Sequence, residues 1–163
     1  MTVVRRATPR DADELVRLRK VMLDSMAPSD DVAWQAFAAE DLRVRLAGPG
    51  GDGDLGVFVI DHPDREGALA ACATGTVERR LAGPGNLRGL TGHVFNVATD
   101  PGMRRRGYSR ACMTALLAWL RERGVGKIDL HASEEGEPLY ASLGFARTPA
   151  PAMRLTIRPP EPR

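Results

Sequence analysis

The sequence has few cysteines, few aromatic residues and little net charge, and each shortage excludes a class of protein. Its only cysteines are Cys72 and Cys112, and neither belongs to a CxxC or Cys/His spacing, so no metal site is predicted. The net charge is only +2, and the aromatic residues are two tryptophans, two tyrosines and four phenylalanines. Because nucleic-acid-binding surfaces usually combine many basic residues with interleaved aromatic ones, we expect no nucleic-acid partner.

Long apolar runs are also missing. No stretch approaches the roughly 20 residues that a membrane span needs, and the N-terminal residues MTVVRR lack the apolar region of a signal peptide. We therefore expect a cytoplasmic protein with reduced thiols and no membrane partner. The 163 residues, of which 43% are hydrophobic and 27% charged, fit one globular domain. We predict this single domain over residues 1–158, followed by a short proline-rich tail at 159–163.

Hydrophobic periods and turn signals predict the element order βααβββαβαββ. The predicted strands are residues 3–7, 55–61, 68–79, 92–99, 127–132, 145–147 and 153–158. The predicted helices are residues 12–26, 32–46, 107–123 and 135–143. A glycine-rich connector at 48–53 and a loop at 81–89 separate some of them. This order indicates an α/β (α+β) fold, in which helices cover the faces of a mixed sheet.

The most informative segment runs from Asn96 to Ala111. An apolar strand there ends in an Asp-Pro-Gly turn, passes through three arginines and Gly107, and opens an amphipathic helix. The first turn of a helix has unpaired N–H groups and the positive end of the helix dipole, which together favour an anion. A glycine lets the backbone approach that anion closely, and arginines add charge-assisted hydrogen bonds. The segment therefore predicts a phosphate-binding loop.

The loop by itself does not identify its ligand. No Lys-Ser or Lys-Thr pair follows Gly107, so the Walker A pattern is absent, and the first strand carries no dinucleotide-binding glycine pattern. An alternative is that the arginines only keep a surface loop solvated. The residues alone leave these two interpretations open.

Two motifs resemble those of the GCN5-related N-acetyltransferase (GNAT) superfamily. The residues RRRGYS at 104–109 are similar to its Arg/Gln-x-x-Gly-x-Gly/Ala signature, and PLYASLGF at 138–145 is similar to its Tyr-x-x-x-Gly-Phe segment. One helix and one strand separate the motifs, as in that superfamily, and the resemblance covers nearly the whole chain. It implies a mainly antiparallel sheet with helices on both faces. Ser109 stands where the superfamily usually has Gly or Ala, and Arg105 replaces a common glycine.

The resemblance implies acetyl-CoA as co-substrate, with no metal. The pyrophosphate would lie on backbone N–H groups between Arg104 and Arg110, and the pantetheine arm would lie beside residues 97–99. Ser133 matches a position, often Asn, that contacts the same arm. The cofactor-binding residues implied in this way are Val97, Ala98, Thr99, Arg104, Arg105, Arg106, Gly107, Tyr108, Ser109, Arg110 and Ser133.

Tyr140 matches the position that donates a proton to the leaving thiolate in the resembled superfamily. A dedicated general base there is commonly a Glu on the strand before the loop, but residues 92–99 contain none. His93 has suitable acid–base chemistry, Glu78 ends the neighbouring strand, and Asn96 has the chemistry to orient a water or the substrate. Each also has a purely structural interpretation, and water relays serve as the base in many members of the superfamily.

The sequence analysis therefore favours an N-acetyltransferase that moves an acetyl group from acetyl-CoA to a primary amine by direct attack. Three alternatives stay open: a transferase using another acyl-CoA, a CoA-binding sensor without turnover, and an interaction domain with a fortuitous basic loop. The amine acceptor, a small molecule or a peptide, carries no recognisable code in the sequence. Dimers are common in the superfamily, so a homodimer is one option for the oligomeric state.

Overall fold

The computed structural model describes residues 2–48 and 53–158. Its strands are β1 (Arg5–Arg6), β2 (Leu55–Asp61), β3 (Leu69–Arg79), β4 (Leu90–Thr99) and β5 (Lys127–Leu130). Its helices are α1 (Ala12–Met26), α2 (Trp34–Leu46), α3 (Tyr108–Glu122) and α4 (Glu137–Ser142). Short 3-10 turns at Pro9–Asp11 and Pro101–Met103 precede α1 and follow β4. These elements lie within two residues of the predicted bounds.

The strands form one five-stranded sheet in the order β1-β2-β3-β4-β5. Neighbouring strands are antiparallel from β1 to β4, whereas β4 and β5 are parallel. The predicted class, a mixed and mainly antiparallel sheet with helices, is confirmed. Most of the predicted connector, residues 49–52, and the predicted tail at 159–163 lie outside the described residues.

Helices cover both faces of the sheet, and β2 shows this in its burial. Six consecutive residues of β2, from Leu55 to Ile60, are buried. Phe58 and Ile60 belong to the core cluster of α3, while Val57 and Val59 belong to the cluster that includes Leu15 and Leu18 of α1. Because successive side chains of a strand point to opposite faces, a continuous apolar run requires cover on both faces.

A β-bulge in β4 changes which face its side chains reach. Asn96 pairs with Thr74 of β3, but the next pair along the ladder joins Val94 to Gly75, so one residue of β4 is left without a partner. Val94 belongs to the α3-side core cluster, whereas Ala98 belongs to the α1-side cluster. An extra residue in one strand has this effect because it inverts the alternation of side chains.

The edge between β4 and β5 opens beyond the bulge. β5 pairs with β4 only from Thr91 to Val94, although β4 continues to Thr99. No described strand lies beside the last part of β4 on this edge. The backbone of residues 97–99 therefore borders a gap in the sheet.

The two strands predicted after α4, residues 145–147 and 153–158, are not formed, so the predicted order loses its last two elements. Met153, Leu155 and Ile157 are 93%, 83% and 75% exposed. Their apolar alternation suits a strand, but no described strand lies beside them to supply ladder hydrogen bonds. Pro149 and Pro151 lie between the two predicted strands. They lack an N–H and restrict the residues before them, which disfavours strand pairing in this part of the chain.

In the part of the chain that the structure describes, every helix is too short or too polar to cross a lipid bilayer.

Candidate functional site

The loop between β4 and α3 has the backbone shape of an anion cradle. Gly107, the residue before α3, has φ of 77°, a left-handed conformation that favours glycine. Arg105 also has a positive φ, 64°. Arg104, Arg105 and Arg106 are exposed, so their charges face solvent at the start of α3. The free N–H groups of the first helical turn and this positive charge both favour an anion at the start of α3.

Asp100 anchors the beginning of this loop. Its carboxylate, 7% exposed as a residue, accepts hydrogen bonds from the Gly102 N–H at 3.0 Å, from Arg17 at 2.9 Å and from Arg65 at 2.6 Å. Burial alone would raise the pKa of Asp100, but the Gly102 N–H and the two guanidinium groups outweigh it and lower the pKa. The ionised carboxylate thus ties the loop to α1 and to the β2–β3 connection.

A cavity of about 720 Å³ lies between α1, the open end of β4, the basic loop and α4. Apart from Arg106, all the predicted cofactor-binding residues line it, including Ser133 from beyond β5. Tyr140 lines it too. The hydroxyl oxygens of Thr99 and Ser109 are 2.6 Å apart, so the unusual serine of the motif hydrogen-bonds to the end of β4. The structure therefore brings together residues that are separated by up to 43 positions in the chain (Val97 to Tyr140).

Tyr140 projects from α4 and is partly buried. Burial raises the pKa of its phenol, so the group is protonated at neutral pH. Its ring contacts Phe145 edge-on at 6.0 Å between centroids. The hydroxyl makes no hydrogen bond to any residue in the described ranges, so its proton is not held by another protein group there. Tyr140 also lines a further cavity, of about 960 Å³, on the side of β5.

None of the three candidate bases lines the 720 Å³ cavity. Glu78 is exposed near the far end of β3, pairs with Arg80 at 3.1 Å and does not line the cavity. His93 stacks on Phe95 at 5.9 Å and contacts His131 edge-on at 5.9 Å, before the bulge of β4. Asn96 is buried at the bulge and lines a second, smaller cavity. The structure therefore does not gather these three residues around one point.

Four cavity-lining residues of α1 are not among the sequence-predicted site residues. Val21, Met22, Ser25 and Met26 form one wall of the larger cavity. Their helical spacing identifies one face of α1, but the same spacing is typical of a face buried in the core. Only the gap beside β4 distinguishes a ligand-facing wall from a core contact.

Solved structures with similar folds include several acetyltransferases. A predicted acetyltransferase with acetyl-CoA from Clostridium acetobutylicum has a TM-score of 0.79 at 24% identity, covering 96% of each chain. A GCN5-related N-acetyltransferase from Ralstonia eutropha JMP134 has a TM-score of 0.78 at 28% identity, covering 95% of this chain and 99% of that chain. The fold is thus that of the GCN5-related N-acetyltransferases.

The family model of the Acetyltransferase (GNAT) family matches residues 19–145, so the chain belongs to this family. Curated relatives include a mycothiol acetyltransferase of Thermobispora bispora, 33% identical over 86% of this chain. This chain spans 50% of the length of that relative. Glucosamine 6-phosphate N-acetyltransferase 1 of Oryza sativa subsp. japonica is 28% identical, over 86% of this chain and 80% of its own length.

Proposed function

We propose that the protein transfers an acetyl group from acetyl-CoA to a primary amine of a small molecule or peptide. The observation that carries this proposal is the 720 Å³ cavity, which joins the loop before α3, the open edge of β4 and the Tyr140 phenol. Family membership and the acetyltransferase relatives support the same reaction class.

In this proposal the basic loop holds the pyrophosphate of the coenzyme. The N–H groups at the start of α3 donate to phosphate oxygens, and Arg104, Arg105 and Arg110, which line the cavity, neutralise their charge. Arg106 is exposed outside the cavity lining and contributes at longer range. The arrangement is electrostatic and backbone-based, so it recognises phosphate and not the acyl group. The loop therefore does not by itself distinguish acetyl-CoA from a longer acyl-CoA donor.

The arm of the coenzyme would lie along residues 97–99, where β4 has no described neighbour on the β5 side. Backbone groups at a strand edge bind an extended ligand as they would bind another strand. Ser133 faces the same cavity from beyond β5. With the pyrophosphate at the loop, the acyl end of the arm points toward the bulge of β4.

The chemical step is direct attack of a neutral amine nitrogen on the thioester carbonyl carbon. A C–N bond forms, the C–S bond breaks, and the sulfur leaves as a thiolate that takes the proton of Tyr140. The phenol is suited to this role because burial keeps it protonated and Tyr140 lines the cavity. The attacking amine loses its proton to water, because His93 lines neither of the two cavities, and Asn96 orients the acceptor.

The experiment measures acetyl-CoA binding and thiol release on the same protein. A saturating ligand at a hundred times its Kd stabilises a protein by about 2.7 kcal/mol, so acetyl-CoA should raise the melting temperature clearly. Thiol release should then depend on an added amine. Strong stabilisation by acetyl-CoA with no amine-dependent thiol release would instead indicate a CoA-binding sensor, and no stabilisation would contradict both functions.

A further inference from the structure

A second cavity, of about 200 Å³, lies on the α1 side of the sheet between α1, α2, β2, β3 and β4. Thr74 and Asn96 form its floor at the bulge, and Phe95 and Leu42 give it apolar walls. Arg19 of α1 lines it as well. The space thus combines apolar surface with a few polar groups, as small-molecule sites do.

The side-chain carbonyl of Asn96 lacks a partner in this cavity. Asn96 is 6% exposed, and its Oδ1 accepts no hydrogen bond from any of the residues described. Its Nδ2 has only a long contact, 3.9 Å, to the Cys72 sulfur. Buried polar atoms in proteins are nearly always hydrogen-bonded, so an orphan oxygen that lines a cavity indicates a place for a donor group of a ligand or of water.

Arg19 supplies a charge to the same cavity. Within residues 2–48 and 53–158 it makes no hydrogen bond and no ion pair. Nearby arginines do: Arg17 pairs with Glu14 at 2.8 Å, and Arg45 pairs with Asp41 at 3.3 Å. Asp41 and Arg45 also line the cavity, but their charges cancel. The cavity therefore has one excess positive charge, carried by a partly buried guanidinium.

The smaller cavity adjoins the larger one along two elements. Asn96 lies two residues before Ala98 on β4, and Arg19 lies one helical turn before Met22 on α1. Ala98 and Met22 both line the larger cavity. If the coenzyme arm lies along residues 97–99, as proposed above, its acyl end arrives beside Asn96.

We propose that the smaller cavity is the acceptor site and that it selects a primary amine carrying an anionic group, either a carboxylate or a phosphate. Arg19 pairs with the anion, and Asn96 Oδ1 accepts a hydrogen bond from an N–H of the attacking amine. Phe95 and Leu42 contact the carbon skeleton between the two groups. This inference rests on the proposed function, because the acyl donor defines which end of the cavity is reactive.

The test compares two matched pairs of amines: glucosamine 6-phosphate with glucosamine, and alanine with alaninamide. Binding to the CoA-loaded protein is measured by calorimetry, and kcat and KM by thiol release from acetyl-CoA. At least one anionic member should bind about tenfold or more tightly than its neutral partner. The pair that shows the preference identifies the anion as phosphate or carboxylate.

Three variants locate the preference. Arg19→Gln should raise KM for the anionic amine about tenfold or more and leave that for the neutral amine nearly unchanged. Arg19→Lys should restore part of the affinity, because it keeps the charge. Arg10→Gln is the matched control, since it removes the same charge from an exposed residue outside both cavities.

The inference is overturned if the neutral amines bind as well as the anionic ones, if none of the four amines binds, or if Arg10→Gln causes the same loss as Arg19→Gln. If the cavity holds only water, either the neutral amines bind as well as the anionic ones or none of the four amines binds. Arg19-dependent binding of an anionic amine without acetyl transfer would support the site and contradict the proposed function. Acetyl transfer to neutral amines alone would support the proposed function and contradict the anion-selective acceptor site.

Discussion

The two cavities on the α1 side of the sheet are built in different ways. Half of the lining of the larger one comes from a continuous stretch of chain, residues 97–110, which includes a strand edge and a helix start, and α1 and α4 complete it. The smaller one is formed by residues from five separate elements, including Arg19, Thr74 and Asn96. A backbone-based site tolerates changes of side chain, whereas a side-chain-based site changes its ligand with each substitution.

The largest effect is expected at the residue proposed to act on the leaving group. Tyr140→Phe removes only the hydroxyl, so kcat should fall about 100-fold, the lower end of the usual contribution of general acid catalysis. Affinity for acetyl-CoA should stay the same, because the cavity keeps its shape. Steady-state thiol release and calorimetry on the same preparation check both statements. An unchanged kcat would mean that water or another group, and not Tyr140, donates the proton.

The larger cavity also depends on one side chain, Asp100, which holds the loop in place. Asp100→Asn should lower the free energy of unfolding by about 2 kcal/mol, because hydrogen bonds to charged groups are among the stronger ones. The folded-state pKa of Asp100 is depressed, so its contribution is present above the unfolded pKa of about 4 and is lost as the pH falls through the folded pKa. The difference between wild type and variant should therefore shrink below about pH 4.

Urea unfolding at several pH values between about 3 and 7 measures this difference. Asp30→Asn is the matched control, because Asp30 is exposed and its side chain has no hydrogen bond or ion pair within the described part of the chain. A constant difference across the whole pH range would mean that the Asp100 contacts do not depend on its ionisation.

Backbone shape at the helix start is tested by a strained substitution. Gly107→Val forces a β-branched residue into a left-handed conformation, so acetyl-CoA should bind about tenfold more weakly as the loop relaxes. Gly67→Val is the control, because Gly67 has nearly the same φ, 76°, and lies away from both cavities. A Cβ at either position meets no atom within 4 Å. Equal affinity losses in both variants would point to general destabilisation instead.

The smallest effect is expected at the unusual position of the motif. Ser109→Ala removes the hydrogen bond to Thr99, which should cost about 1 kcal/mol of stability. Acetyl-CoA affinity should change less than about threefold, because the N–H group that faces the cavity belongs to the backbone. A larger affinity loss than that of Gly107→Val would show that the serine hydroxyl contacts the coenzyme.

Most of the fold follows from local patterns, since α1 and α3 are clearly amphipathic and β2 is a continuous apolar run, although β1 and α2 carry little such signal. The two strands predicted after α4 are the exception. Met153, Leu155 and Ile157 alternate as a strand does, but a strand also needs a neighbour, and the alternation contains no information about one. Strand pairing depends on two segments, so the pattern of one segment does not predict it.

The two cavities also differ in how far the sequence predicts them, because only the larger one is built around consecutive residues. The loop from Arg104 to Arg110 is predictable because turn residues, helix start and charge are consecutive. The bulge at Asn96 is not, because an extra residue in β4 is defined only by its register with β3. Arg19 gives no sequence signal either, since the sequence does not distinguish it from other arginines on an amphipathic helix. Only the structure shows that it has no partner among the described residues.

The two cysteines affect how the reaction can be followed. Cys72 and Cys112 are both 0% exposed, and burial raises the pKa of Cys72 to about 12. A dye that reacts with thiolates should therefore ignore the folded chain and report only the sulfur of released coenzyme. Once the protein is denatured, the same dye should count two further thiols per chain. One reagent thus measures product during turnover and the unfolded fraction afterwards, without labels or added tags.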